Sequence, residues 1–407
     1  MIYIVLLLVF LIDLYVLQAI KVLTKKWKAK KIVWITYWVT TTVVILILAQ
    51  WKFFGLNFVP QAVQRYVGLV IMINYFSKLF AVLFLVFDDG IRVFKWAKQK
   101  QKHTKVESVG KPIPRSEFLA KASLAAIALP VATLGFGILS GAYDYRVRRK
   151  RVVIPNLPKA FDGVRIGQLS DIHSGSFYNK TAVHGGIDLM IGEKPDIFMF
   201  TGDLVNNETN EVGEYKDMFA KISAPLGAYS TLGNHDYGDY KQWATPKAKQ
   251  QNLADLVKVH KDMGWDLLRN ENRIITVDGE QLAILGVENW GKGRFAKYGD
   301  LDKTYAGSEE VATKILLSHD PSHWDAQVRP NHPDIDLMLA GHTHGFQFGV
   351  EIGNFRWSPS QYMYKQWADL YTEENQHLYV NRGFGFLGYP GRVGILPEIT
   401  ILELVRA

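Results

Sequence analysis

Residues 164–173 read VRIGQLSDIH, an apolar strand pattern that runs into two side chains able to bind a metal, Asp171 and His173. Residues 197–203, IFMFTGD, repeat this arrangement, with Asp203 placed just after the apolar run. In open α/β sheets, ligands bind in the crevice outside the carboxyl ends of the strands. Both stretches therefore predict strands whose ends meet at a common site.

The same alternation of short apolar runs with polar, helix-like stretches continues through the chain from Val152 onward. The predicted buried strands are residues 164–169, 197–201, 228–232, 283–286, 314–317 and 335–339. The predicted helices are residues 181–193, 211–222, 250–263 and 308–313. Buried strands that alternate with helices indicate a layered α/β architecture rather than a helical bundle or a barrel of hairpins.

Polar side chains follow five of the predicted strands and form one candidate metal site. They are Asp171, His173, Asp203, Asn234, His319, His342 and His344. Seven ligands are too many for one tetrahedral zinc site. They suit two first-row divalent cations about 3.5–4 Å apart that share one carboxylate and a bridging water. Asp203 is central in the motif order and is the predicted bridge.

The residue types also limit the chemistry of this site. The chain contains no cysteine, which excludes disulfides, zinc–thiolate sites and thiol nucleophiles. Imidazole and carboxylate ligands accept manganese, iron, cobalt and zinc, so the sequence predicts two divalent cations without choosing among these metals.

Five sequence blocks resemble, in order across residues 163–345, the calcineurin-like metallophosphoesterase family. They are Ser170-Asp-Ile-His173, Thr201-Gly-Asp-Leu204, Gly233-Asn-His-Asp236, Ser318-His319 and Gly341-His-Thr-His344. The resemblance implies an α/β sandwich of two sheets flanked by helices and a metal-dependent hydrolase of phosphoric esters. A metal-bridging hydroxide would attack phosphorus, and His235, paired with Asp236, would protonate the leaving oxygen.

The family pattern also divides the ligands between two metals. One metal is expected on Asp171, His173, Asp203 and His344. The second is expected on Asp203, Asn234, His319 and His342. Asp203 is shared, and every ligand position of the pattern is filled in this sequence.

The chain before the metal motifs predicts an α-helical transmembrane anchor. A helix needs about 20 mainly apolar residues to cross a bilayer, and residues 2–20, 32–50, 66–87 and 118–141 qualify. We therefore expect an anchor over residues 1–150 and a phosphoesterase domain over residues 151–407. Asp13 and Lys78 lie inside two of these spans. A buried pair or a polar path would explain them functionally, and a helix–helix contact or a snorkelling side chain would explain them without a function.

Charge is distributed very unevenly along the chain. Residues 1–151 contain 23 Lys and Arg against 6 Asp and Glu, whereas the remainder contains 24 against 33. The excess of positive charge lies beside apolar runs, which favours membrane lipid headgroups as partners and not nucleic acid.

The positions of the basic loops predict which side of the membrane the catalytic domain occupies. Loops 21–31 and 92–111 are basic and are expected in the cytoplasm, which places the domain outside the cytoplasmic membrane of a bacterium. Residues 114–119 resemble a twin-arginine export signal that retains only Arg115, which also favours the outside. The basic residues 146–151, or a fourth segment lying along the surface, would reverse this orientation.

Three features outside the metal motifs allow further predictions. Residues 383–388, GFGFLG, indicate a tight loop near the metals, because no helix opens there. Arg382 and Arg392 flank this loop and could bind a substrate phosphate or form surface ion pairs. The aromatic stretch 357–371, which includes Tyr364 and Trp367, could face lipid or cover the sheet as core.

These features together predict a membrane-bound phosphoesterase for a phosphate ester or pyrophosphate, with a phospholipid or lipid-linked substrate preferred. Some membrane-bound members of the family cleave the pyrophosphate of UDP-2,3-diacylglucosamine at the cytoplasmic face. The alternatives are a tethered phosphoesterase for soluble esters and a non-catalytic sensor or assembly subunit with the same fold.

Overall fold

A computed structural model describes residues 2–53, 59, 61–102, 116–353 and 355–407. The chain divides into two compact units, residues 1–135 and 136–407. Arg115 of the export-signal resemblance and residues 103–111 of the second basic loop lie outside the described residues.

The helices of the described chain fall into a long apolar set and a short set. The long helices are α1 (Ile2–Thr24), α2 (Lys30–Phe53), α3 (Gln61–Lys102) and α4 (Glu117–Leu139). The others are α5 (Lys180–Gly192), α6 (Lys216–Phe219), α7 (Pro246–Asp262), α8 (Leu301–Tyr305) and α9 (Arg329–Asn331). All four long helices are long and apolar enough to cross a membrane, in agreement with four apolar helices before the α/β domain.

The two charged residues of the spans meet inside the first unit. Lys78 Nζ lies 2.6 Å from Asp13 Oδ1, and both side chains are buried. Asp13 also accepts hydrogen bonds from Tyr37, Thr41 and Tyr75, so its carboxylate links α1 to α2 and α3. Polar contacts of this kind hold membrane helices together where burial of apolar surface cannot.

The described residues of the second unit form fourteen strands. They are β1 (Arg146–Ile154), β2 (Arg165–Leu169), β3 (Ile197–Phe200), β4 (Ala228–Ser230), β5 (Asp266–Leu267), β6 (Glu271–Val277), β7 (Glu280–Gly286), β8 (Lys314–Leu317), β9 (Leu337–Ala340), β10 (Val350–Ile352), β11 (Phe355–Trp357), β12 (Asp369–Glu373), β13 (Gln376–Val380) and β14 (Glu398–Arg406). One sheet has the order β1-β14-β2-β3-β4-β5, and the other has the order β12-β13-β9-β8-β7-β6. Strands β10 and β11 form a separate hairpin.

Alternate side chains of the central strands face different cores. On β3, Ile197 and Met199 join the apolar core between the two sheets. Phe198 and Phe200 instead pack in the core beneath α5 and α7. Because successive strand residues point to opposite faces, a continuous apolar run indicates a strand covered on both sides. The predicted sandwich of two sheets flanked by helices is therefore confirmed.

The basic segment before the metal motifs is a strand that the sequence did not predict. Strand β1 pairs in parallel with β14 at the edge of the first sheet, and the predicted domain boundary at residue 150 falls inside it. Arg148 pairs with Glu351, Arg149 with Glu193, and Lys150 with Asp369. Its charges are balanced by acidic residues that are distant in the sequence, so local composition did not identify a strand.

Two of the helix predictions were wrong. Residues 308–313 form a turn, and the nearby helix is α8. The region predicted as one helix over residues 211–222 is broken into single turns followed by α6. Gly213 has a φ of +37° in this region, which a regular right-handed helix does not accommodate.

Candidate metal centre

The candidate ligands lie at the carboxyl ends of strands from both sheets. Asp171 and His173 follow β2, Asp203 follows β3, and Asn234 follows β4. The second sheet contributes residues that follow β8 and β9, namely His319, His342 and His344. The loops also bind each other, because the backbone N–H of His342 donates to the Asp171 carboxylate at 2.9 Å. Two packed sheets therefore bring these loops to one end of the sandwich, where six of the seven side chains form two clusters.

The first ligand group consists of Asp171, His173 and His344, all buried. His173 Nε2 lies 3.0 Å from His344 Nε2, and His344 Nε2 lies 3.3 Å from Asp171 Oδ1. Burial lowers the pKa of His173 to about 3, so its imidazole is neutral near pH 7. A neutral imidazole has a lone pair available for a metal.

The second ligand group consists of Asp203, His319 and His342. His319 Nε2 lies 3.1 Å from Asp203 Oδ2 and 3.2 Å from His342 Nδ1. Burial lowers the pKa of His342 to about 4. Burial also opposes protonation of His319, but the charge of Asp203 outweighs it and raises the pKa of His319 to about 10. When no metal is bound, the His319 ring is therefore protonated and faces the Asp203 carboxylate as a cation.

Several buried acceptor atoms of the site fit a bound cation. The His319 Nδ1 lies 2.8 Å from the Thr201 carbonyl and donates to it, which directs the other ring nitrogen at the Asp203 carboxylate. Two acceptors at this distance repel each other unless a proton or a metal lies between them. Among the described residues, the buried Asn234 Oδ1 has no hydrogen-bond partner, while its Nδ2 donates to Tyr240. Nitrogen and oxygen ligands of this kind suit first-row divalent metals.

Five of the seven candidate ligands have left-handed backbone conformations. They are Asp171, His173, Asp203, His342 and His344, with φ between +49° and +70°. Residues other than glycine rarely adopt this region, and each such residue costs about 1–3 kcal/mol. The fold therefore gives up stability to direct these side chains toward a common point.

Gly341, next to two of the histidines, permits the close approach of the two sheets' loops. A Cβ atom at this position would lie 1.9 Å from Ser170 Oγ and 2.1 Å from Asp171 Oδ2. Neither separation is possible for real atoms, so any larger residue would push the ligand loops apart.

Comparisons with known proteins agree with this geometry. Residues 164–346 match the family described as "Calcineurin-like phosphoesterase". Residues 1–142 match the family described as "Probable Calcineurin-like phosphoesterase, transmembrane domain". This chain contains a calcineurin-like phosphoesterase domain. The predicted class of enzyme, a metal-dependent hydrolase of phosphoric esters attached to a membrane, is thereby confirmed.

Several curated metallophosphoesterases are similar in sequence to this chain. The uncharacterised YkuE of Bacillus subtilis is 28% identical over 302 residues, which is 72% of this chain and 98% of YkuE. A transmembrane protein with a metallophosphoesterase domain from Danio rerio is 26% identical over 67% of this chain, and the match spans only 60% of that relative. The UDP-2,3-diacylglucosamine pyrophosphatase LpxG of Chlamydia trachomatis is 25% identical over 56% of this chain and 81% of its own length.

The pairing of His235 with Asp236 in this phosphoesterase is wrong. The His235 Nδ1 lies 2.8 Å from the Asn206 carbonyl, to which it donates, so this carbonyl orients the ring. The buried Asp236 carboxylate instead accepts backbone N–H bonds from Asp203, Leu204 and other residues of the two loops. Asp236 therefore organises the loop that carries the shared ligand Asp203.

Both arginines suggested as substrate contacts have buried partners within the protein. Arg382 is fully buried and pairs with Glu398 at 2.6 Å and Glu351 at 2.7 Å. Arg392 is buried as well, donates to the Gly385 carbonyl, and places Nη2 3.2 Å from His344 Nδ1. Arg382 thus forms buried ion pairs, unlike the surface pairs that were the alternative, and Arg392 supports a metal ligand.

The glycine-rich loop between these arginines lies beside the metal ligands, as predicted. The Gly385 N–H donates to the Asp171 carbonyl at 2.9 Å, and the Phe384 N–H donates to the Ser170 carbonyl at 2.8 Å. A Cβ atom on Gly385 would lie 1.9 Å from the Ile172 carbonyl oxygen. Glycine is therefore needed here, because the loop backbone passes directly against the loop that carries Asp171.

Sequence reasoning missed three residues around the second ligand group. The Tyr364 hydroxyl lies 2.7 Å from His342 Nε2, and Asp320 Oδ2 lies 3.7 Å from the same nitrogen. Tyr240 accepts from Asn234 Nδ2 at 2.9 Å, which leaves the amide oxygen of Asn234 to act as a ligand. Asp320 adjoins a motif histidine and could have been suspected. Tyr364 was noted only as part of the aromatic stretch, and no local pattern marks Tyr240.

The aromatic stretch 357–371 does not act as one surface. Trp367 is buried and packs with Ala368 and Ile395, so it belongs to the core. Tyr362 and Met363 are exposed. The stretch therefore contributes to the core, to the metal centre and to the surface at different residues.

Proposed function

We propose that this phosphoesterase binds two divalent cations and hydrolyses a phosphate ester or pyrophosphate of a lipid-linked substrate. The observation that supports two metals best is the position of Asp203 between the ligand groups. Its Oδ2 lies 3.6 Å from His173 Nε2 and 3.1 Å from His319 Nε2. One carboxylate within reach of both groups suits a shared ligand.

The proposed roles of the residues follow from this arrangement. Asp171, His173, Asp203 and His344 would hold one cation, and Asp203, Asn234, His319 and His342 the other. Manganese, iron or zinc would supply an activated nucleophile and positive charge for the phosphoryl oxygens. Asn234 is neutral, so it leaves more of that charge for the substrate.

His235 is the proposed general acid for the leaving group. Its Nδ1–H is held by the Asn206 carbonyl, so a second proton must be carried on Nε2. Protonated Nε2 can donate to a departing oxygen and return to the neutral ring. The His235 ring centroid lies 5.0 Å from the His173 ring centroid. His235 therefore lies beside the metal ligands but is not one of them.

The membrane anchor supports a lipid-linked substrate class. Four helices are able to cross a membrane, and a phosphatase for soluble esters has no need of them. The similarity to a pyrophosphatase named for UDP-2,3-diacylglucosamine is consistent with such a substrate. A phospholipid, a lipid-linked pyrophosphate or an envelope glycolipid precursor would each carry the required phosphoryl group.

We further propose that the catalytic domain lies outside the bacterial cytoplasmic membrane. The basic loop over residues 21–31 favours the cytoplasm, which places the start of the first helix outside. Four spans, an even number, then bring the chain after α4 back to the outside. The basic residues 146–151 were the main objection to this orientation. In the folded domain these residues form β1 and pair with acidic residues, so their positive charge also has a structural role apart from membrane orientation.

Metal content and turnover of the purified full-length protein test this proposal. Asp203→Ala and His342→Ala should each lose bound metal and hydrolysis of both soluble and lipid phosphoesters. His184→Ala, which changes an exposed histidine on α5, is the matched control and should lose neither. Full turnover in the two ligand variants would refute the two-metal site. A metal-loaded protein inert toward every phosphoester would favour a non-catalytic binding subunit.

A further inference from the structure

The hairpin of β10 and β11 has its apolar side chains on the outside. Its register pairs Val350 with Trp357, Glu351 with Arg356, and Ile352 with Phe355. Paired residues share a face, and faces alternate along each strand. One face therefore carries Val350, Ile352, Phe355 and Trp357, and the other carries Glu351 and Arg356.

The charged face of this hairpin is bound to the domain. Glu351 pairs with the buried Arg382 at 2.7 Å. Arg356 pairs with Asp369 at 3.1 Å and lies over the Trp367 ring. The apolar face is consequently turned away from the protein, and Ile352 is 72% exposed. This is the reverse of the usual pattern for a hairpin on a water-soluble surface.

Neighbouring loops extend the exposed apolar surface. We define the apolar rim as Phe346, Val350, Ile352, Phe355, Tyr362 and Met363, all of which are exposed. The segments are linked, because Ser358 Oγ donates to the Gly345 carbonyl and Trp357 Nε1 donates to the Tyr362 hydroxyl. Single exposed apolar residues are ordinary, but a contiguous group marks an interaction surface.

Phe346 carries a second sign that this surface is functional. Its φ is +57°, a conformation that is an outlier for a bulky residue, and its ring is exposed. Exposure of the apolar Phe346 ring to water does not offset the free-energy cost of its strained backbone. A strained conformation of this kind is retained where the surroundings use it.

The end of the fourth candidate span indicates what covers the rim. The Gly349 N–H at the base of the hairpin donates to the Val393 carbonyl at 2.9 Å. The next residue back, Arg392, donates its backbone N–H to the carbonyl of Gly137 in α4 at 3.1 Å. Leu139, at the end of α4, is 87% exposed. The rim and the end of a membrane span therefore adjoin the same short loop.

We propose that the apolar rim inserts into the interfacial region of the lipid bilayer that α4 crosses. Aromatic and aliphatic side chains on a polar support are the composition of interfacial membrane contacts. The consequence for catalysis rests on the function proposed above. Phe346 is two residues from His344, and Met363 precedes Tyr364, which contacts His342. Insertion of the rim thus brings lipid phosphate groups to the metal centre.

Site-specific fluorescence in nanodiscs tests the membrane contact. The chain has no cysteine, so Ile352→Cys and Phe355→Cys each provide one labelling site. An environment-sensitive label at either position should shift its emission to the blue and be quenched by lipids with a nitroxide near the headgroup. Thr276→Cys is the control, because it is exposed on β6, at the opposite edge of the second sheet from β12.

The outcomes separate the bilayer from other occupants. Blue-shifted, quenched labels at 352 and 355 with an unquenched label at 276 support the proposal. Labels that stay in water at 352 and 355 overturn it. A shift that occurs only in nanodiscs holding two copies also overturns it, because a second copy of the chain would then cover the rim.

An activity measurement tests the consequence for substrate choice. The double variant Ile352→Ser/Phe355→Ser should lower the ratio of lipid to soluble-ester turnover about tenfold, equivalent to about 1.4 kcal/mol. Thr276→Ser should leave this ratio unchanged. An unchanged ratio in the double variant overturns delivery of lipid by the rim. A wild-type protein without any hydrolytic activity contradicts the proposed function instead, and the label results still decide the membrane contact.

Discussion

At the scale of single residues, the metal centre depends on side chains that act through their neighbours' backbones. His235 is oriented by the Asn206 carbonyl, and Asp236 accepts N–H groups of the loop that carries Asp203. The two adjacent residues therefore have separable effects on catalysis and on metal binding.

We expect His235→Ala to retain its metals and to lose turnover by about 10²–10⁴-fold, the usual range for a general acid. The loss should be larger for an alkyl phosphoester than for a nitrophenyl ester, because a nitrophenolate leaves without a proton. Steady-state kinetics with both esters, together with metal analysis, measures this difference.

Asp236→Asn is the informative comparison for that experiment. It should weaken metal binding, since the amide cannot accept all of the N–H bonds that the carboxylate accepts. Its loss of activity should not depend on the leaving group. The same leaving-group dependence in both variants would contradict the separate roles assigned here.

We expect Arg382→Gln to destabilise the fold rather than to weaken substrate binding. Its removal breaks the fully buried pair with Glu398 and leaves only Arg148, at 3.6 Å, to balance that carboxylate, which should cost about 3–5 kcal/mol. Chemical unfolding in detergent measures the stability. Arg273→Gln, which breaks an exposed pair with Asp266, should cost no more than about 1 kcal/mol. A raised KM with unchanged stability for Arg382→Gln would restore the substrate role.

At the scale of elements, the strand and helix predictions succeeded where the pattern is local. Strands β3, β8 and β9 are continuous apolar runs because helices cover one face and a second sheet the other. Strand β1 was missed, because its charges are neutralised by residues such as Glu193 that the chain brings from far away. The composition around Gly213 predicted a helix, but the positive φ of this glycine interrupts the helix.

The packing of α7 on the first sheet predicts an acid-sensitive stability. His260 on α7 is buried, with Nδ1 3.0 Å from Ser230 Oγ of β4, and burial lowers its pKa from 6.5 to about 3. Between these values the unfolded chain binds a proton that the folded chain does not. Stability should therefore fall as the pH decreases from about 6.5 toward 3, by about 1.4 kcal/mol per pH unit.

Thermal unfolding of the detergent-solubilised protein across this pH range measures the effect. His260→Gln should have a shallower dependence on pH than the wild type. His184→Gln, at an exposed position, should keep the wild-type slope. Identical slopes for the wild type and His260→Gln would show that another group controls the acid sensitivity.

At the scale of the whole molecule, the orientation across the membrane can be tested directly. In spheroplasts, a membrane-impermeant maleimide should label Thr276→Cys on the catalytic domain. Lys28→Cys, exposed in the first basic loop, should react only after permeabilisation. The opposite pattern would place the catalytic domain in the cytoplasm. Because the chain lacks cysteine, the wild type serves as the unlabelled control.

The sequence by itself determined the four membrane spans, the sandwich class and the identities of the candidate ligands. Spans and buried strands are visible because burial demands unbroken apolar runs, and the ligands are visible because each follows its strand within a few residues. These are properties of short segments, so the pattern of apolar and polar residues along the sequence is enough to predict them.

Only the tertiary structure decided which polar residues serve the site and which serve the fold. Arg382 and Arg392 are alike in sequence, yet one neutralises Glu398 and the other supports His344. The left-handed backbone of five ligands and the outward apolar face of the β10–β11 hairpin were equally hidden. Burial and charge pairing depend on residues that are distant in the chain and adjacent in space, so no local pattern contains them.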